Sequence, residues 1–93
     1  MHRKCATALH MNARLILTLA AAMSRAVGFS PACECAYKAY LAIEQGVSVS
    51  DSIAQEIATR RAMPVEFPAW KAVNEAQAQL MVLMCVRLVE GDA

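Results

Sequence analysis

The 93-residue sequence predicts an all-α fold, a compact bundle of about four helices. Three observations carry that expectation. Nineteen residues are alanine and 58% of the chain is apolar, whereas glycine and proline number only three each, so helix formers far outnumber helix breakers. Apolar residues recur at three-and-four spacing, the repeat of one helix face. The glycines and prolines fall between these periodic segments. The length fits a single domain over 1–93, with 1–11 as a loose N-terminal segment.

The first helix is expected over about 12–27. Leu15, Ile16, Leu19, Ala20, Met23 and Val27 make its apolar stripe, Arg14 and Arg25 flank that stripe in solvent, and Gly28 stops it. The second opens at Ser30 and Pro31, an N-cap residue followed by a proline whose missing N–H would have no helical partner. Ala36, Tyr40 and Ile43 form one apolar row, Tyr37 and Leu41 a neighbouring one, and Gly46 closes the helix. The run Ser48-Val49-Ser50-Asp51 has the form of a capping box for a third helix. Ile53, Ala54, Ile57 and Ala58 should face inward there, with Arg60 and Arg61 at the negative end of the dipole. Two prolines then break the chain, and a fourth helix is expected from 68 to about 90. Its inward row would be Trp70, Val73, Ala76, Leu80, Met84 and Leu88. Residues 80–86 (LMVLMCV) are apolar all round, which suits a segment enclosed by other helices or other subunits.

Composition narrows the function classes. Net charge is +1 with no basic block, so there is no footprint for nucleic acid. The apolar stretch between Arg14 and Arg25 is too short to span a bilayer. The same stretch after a basic start imitates a signal peptide, which leaves secretion as the lesser alternative to a cytoplasmic protein. Of four cysteines only Cys33 and Cys35 are close in sequence. Cys85 lies in the apolar run and Cys5 near the N-terminus, a placement that suits reduced thiols better than a disulfide framework. His2 and His10 have no neighbours that complete a ligand set, so neither a metal nor a cofactor is expected. Much apolar surface on a short chain points to a homo-oligomer.

The chemistry concentrates at the start of the second helix, in Cys33, Glu34, Cys35 and Lys38. With Ser30 as cap, Cys33 is the third helical residue, near free N–H groups that favour a thiolate. Residues two apart point about 200° away from each other on a helix, so the Cys33 and Cys35 sulfurs cannot meet while that turn is intact. Glu34 and Lys38 stand four apart in the order that gives a surface ion pair, worth about 0.3–0.5 kcal/mol. A buried Glu34 with a raised pKa would instead be able to move protons.

These residues resemble the carboxymuconolactone decarboxylase-like superfamily, which includes alkyl hydroperoxidase D. There a helix with a small-residue stop precedes a site helix that reads Cys-x-x-Cys-x-x-x-His in one branch and Glu-Trp-x-x-His in another. Residues 13–28 (ARLILTLAAAMSRAVG) are similar to the preceding helix, and 34–48 (ECAYKAYLAIEQGVS) to the site helix and its exit. Glu34 takes the glutamate position, Cys35 the tryptophan position and Lys38 the histidine position; Ala42 and Gly46 match directly. The redox cysteine positions fall on Pro31 and Glu34, so Cys33 and Cys35 are out of register. The resemblance covers about 12–91 and implies an alkyl hydroperoxidase D-like fold, a trimer or hexamer, and a site near a subunit boundary. It implies a thiol-dependent peroxidase or antioxidant with a degenerate site, in which Cys33 or Cys35 attacks peroxide while Glu34 and Lys38 manage protons. The alternatives are a lyase for a small carboxylated lactone, with Lys38 holding the carboxylate, and a non-enzymatic oligomeric module.

Overall fold

The computed structural model describes residues 2–63 and 68–91, with the backbone alone for 2–12 and for Pro68. The side chains of His2, Cys5 and His10, and the proline linker at 64–67, lie outside the described residues. Five helices follow one another: α1 (His2–Val27), α2 (Phe29–Glu44), α3 (Val49–Ala62), α4 (Pro68–Lys71) and α5 (Glu75–Glu90). The all-α expectation holds, and no strand occurs among the described residues. The helical backbone of α1 starts at His2 rather than near residue 12.

Glycine makes the first corner. Gly28 has φ +88°, where an L side chain is strained, and its N–H donates to the Ser24 carbonyl at 2.8 Å to close α1. Its own carbonyl accepts from Ala32 at 3.2 Å and so opens α2. One residue therefore ends one helix and caps the next, and Ser30 caps nothing. Pro31 falls at the third helical position, where its missing N–H is still one that the helix would not use. The exit of α2 is a Schellman motif around Gly46 (φ +99°), with Val47 donating to the Ala42 carbonyl at 3.1 Å and Gly46 to that of Ile43 at 3.0 Å. Ser48 does cap α3, its hydroxyl accepting from the Asp51 N–H at 3.1 Å.

The expected fourth helix is two helices. Asn74 interrupts it, because its side chain accepts from the Gln77 N–H while the Gln77 side chain accepts from the Asn74 N–H, both at 2.9 Å. This is a capping box, and it starts α5 afresh at Glu75. The single turn of α4 is held by Trp70, fully buried against α3 and α1.

Helices α1, α2, α3 and α5 pack as a ring in chain order, α5 closing on α1; across the ring, no Cα of α2 lies within 8 Å of one in α5. The core at the centre holds Leu19, Met23, Ile53, Ile57, Trp70 and two cysteines, Cys35 and Cys85. The α1 stripe faces inward as expected, and Arg14 and Arg25 face water. In α2, Ala36, Tyr40 and Ile43 turn inward, whereas Tyr37 and Leu41 are exposed. In α3, Ile53 and Ile57 are buried, but Ala54 and Ala58 are on the surface. In α5 the buried row is Ala78, Met81 and Cys85. Ala76, Leu80, Met84 and Leu88, expected inside, are exposed.

Candidate functional site

The start of α2 separates the four candidate residues. With Gly28 as cap, Cys33 is the fifth helical residue and not the third, so it lies past the free N–H groups of the first turn. It is half-buried at the edge of the core. Glu34 and Lys38 share one strip of α2, and that strip faces water. No ion pair joins them. Cys35 lies about 100° round the helix from Glu34 and points into the core, where its side chain is completely buried.

Inside the ring, Cys35 faces a group that the sequence reading did not select. Glu56 and Arg60 sit one turn apart on α3, and the Arg60 guanidinium donates to Glu56 Oε1. The Arg60 side chain is 7% exposed and that of Glu56 23%. Ser52 lies one turn earlier on the same face, with its hydroxyl buried and without a partner among the described residues. The Arg60 Nε and the Trp70 Nε1 are likewise buried and unpartnered. The spacing Ser52-x-x-x-Glu56-x-x-x-Arg60 was legible as a helical row, but nothing in it announces burial.

The electrostatics of Cys35 follow from this setting. Burial pushes its thiol up to about 12, and Glu56 and Cys85 add to that; Arg60 pulls the other way without offsetting it. Burial likewise holds Cys85 at about 12. The Cys85 thiol makes one weak contact, a 3.9 Å donation to the Leu19 carbonyl. Cys33, Cys35 and Cys85 are all free thiols. A Cys35–Cys85 disulfide is out of reach, because bridged cysteines need Cα atoms within about 7 Å and α2 and α5 stand further apart than that.

Shallow grooves run along α5 instead. One is lined by Ala22, Arg25 and Ala26 of α1 with Gln77, Leu80 and Met84 of α5; another by Ala54 of α3 with Gln79, Val82 and Leu83. Among the described residues no three His, Cys, Asp or Glu side chains cluster as a metal set would, and no helix is long and apolar enough to cross a membrane.

No family model, no curated protein and no solved structure matches the chain.

Chemically, the acid and the amine of the candidate site are solvated and apart from any buried thiol, while the buried thiol is neutral. A nucleophilic cysteine needs thiolate character and access. Cys35 has neither, and Cys33 is only partly accessible and lies past the free N–H groups of the first turn.

Proposed function

We propose that the chain is a non-enzymatic helical assembly module, similar in helix order to the carboxymuconolactone decarboxylase-like proteins, in which Cys33, Glu34, Cys35 and Lys38 are structural. One observation carries this reading. Glu34 and Lys38 stand in water while Cys35 sits in the core with its thiol held near 12, so no acid, base and nucleophile converge. The lactone-lyase reading needs Lys38 and Glu34 in a shared pocket, and their exposure speaks against it. Three free thiols accord with a reducing, cytoplasmic compartment.

The partial exposure of Cys33 favours one second reading, a slow thiol-dependent peroxidase. There the Cys33 thiolate would attack a peroxide oxygen, break the O–O bond, and become a sulfenic acid as the peroxide leaves as an alcohol. A separate dithiol reductant would then have to restore it.

The test is organic hydroperoxide consumption in the presence of a dithiol. The expected rate above that of the dithiol alone is no greater than the same concentration of free cysteine gives, in the wild type and in a Cys33→Ser, Cys35→Ser double variant alike. Turnover well above free cysteine that disappears in that variant overturns the module reading and establishes the peroxidase. Turnover of a carboxylated lactone that survives the double variant but not Lys38→Ala overturns it in favour of the lyase.

A further inference from the structure

The outward side of α5 carries four of the ten large apolar side chains exposed among the described residues. Leu80, Leu83 and Leu88 are 57%, 61% and 54% exposed, and Met84 is 38% exposed. Leu80, Met84 and Leu88 recur every four residues and Leu83 stands three after Leu80, so the four side chains share one face of α5. Single exposed leucines need no explanation, but a contiguous row on one helix marks an interaction surface.

From this we infer that α5 is a self-association surface, on which the α5 of a second copy lies antiparallel about a twofold axis passing between Leu83 and Met84. The inference rests on the assembly-module reading and supplies its partner. The row is self-complementary about that axis. Leu83 meets the partner's Met84, and Leu80 lies against the stem of the partner's Arg87 beside the partner's Leu88. Charge sets the direction. Glu90 is exposed at the C-terminal end of α5, and Arg25 is exposed beside Gln77, near its N-terminal end. Neither makes an ion pair among the described residues. In the antiparallel pair the partner's Glu90 comes over Gln77 and faces Arg25, and the twofold repeats that contact at the other end. A threefold arrangement would run the helices parallel and bring Glu90 to Glu90 and Arg25 to Arg25. Like charges so placed oppose association, which selects the twofold over the threefold.

Sedimentation velocity on the full chain, with its protomer mass of 10.1 kDa, tests this. The expected species has twice that mass. Leu83→Arg should give the single-chain mass with an unchanged far-UV helix signal, since residue 83 faces water in the isolated chain. Arg25→Glu and Glu90→Arg should each weaken the dimer about tenfold or more, and the double swap should restore it. A single-chain or trimeric wild type, a dimer indifferent to Leu83→Arg, or charge variants without mutual rescue overturns the inference. Peroxide or lactone turnover by an intact dimer would overturn the module reading and leave this interface standing.

Discussion

Replacing Trp70 with alanine is expected to cost about 3–5 kcal/mol, the range for removing a fully buried aromatic side chain. A chain of this size has little stability beyond that, so the variant should be largely unfolded near room temperature. The reason is architectural. Helix α4 is one turn long and cannot persist through its own hydrogen bonds. Trp70 anchors it between α1 and α3 with no surface left in water, and it thereby fixes where α5 starts. Trp70→Phe separates packing from polarity. It keeps most of the ring and removes an indole N–H that has no partner among the described residues. That variant should lose less than about 1.5 kcal/mol. Urea unfolding followed by circular dichroism measures both. A Trp70→Ala protein as stable as wild type would show that Trp70 does not anchor α4.

The second large effect concerns Glu56. Glu56→Ala leaves the Arg60 guanidinium without its carboxylate, in a position only 7% exposed. Breaking a buried pair by removing one member costs about 3–5 kcal/mol. Glu56 is itself 23% exposed, so water can reach the vacated site, and the lower end of that range is expected. Removing both charges in Glu56→Ala, Arg60→Met should recover most of the loss, because an apolar side chain fits the core without a desolvation penalty. Urea midpoints of the two variants measure this; a single variant within about 0.5 kcal/mol of wild type would mean that the Arg60 charge is solvated in the native state.

Where one residue type decides local geometry, the sequence was a sufficient guide. The α1 stripe from Leu15 to Val27, the Ser48 cap and the Gly46 exit all follow from such rules. The start of α2 differs from the sequence expectation because two signals compete there. Ser30-Pro31 is a good opening in isolation, but Gly28 already supplies the first helical acceptor two residues earlier, and serine then has nothing to cap. The last helix differs for another reason. Asn74 with Gln77 is a legible capping box, and it breaks the phase that Trp70 and Val73 would otherwise carry straight into α5. The true inward row lies one residue on, a rotation of about 100°. Residues 80–86 are apolar on every side, so periodicity alone had no power to choose between the Leu80 and Met81 faces. At the candidate site, helix geometry correctly set Cys33 and Cys35 on different sides of α2. It did not say which side was the core, because that depends on α3, and Glu56 and Arg60 read as surface charges until the ring closes over them.

The central claim is that Cys35 is a neutral core thiol and not an activated one, and pH-dependent stability tests it most directly. Burial holds Cys35 and Cys85 at about 12 in the folded chain, against 9.0 when exposed. Above pH 9 the unfolded chain therefore releases protons that the folded chain retains. The stabilising contribution of these thiols is complete below pH 9 and is lost as pH rises toward 12, at up to about 1.4 kcal/mol per pH unit for each thiol. The urea midpoint should accordingly fall between pH 8 and pH 10.5 by more in the wild type than in a Cys35→Ala, Cys85→Ala variant. A wild-type midpoint that is flat or rises over that interval, or falls only as much as the variant's, would contradict the account.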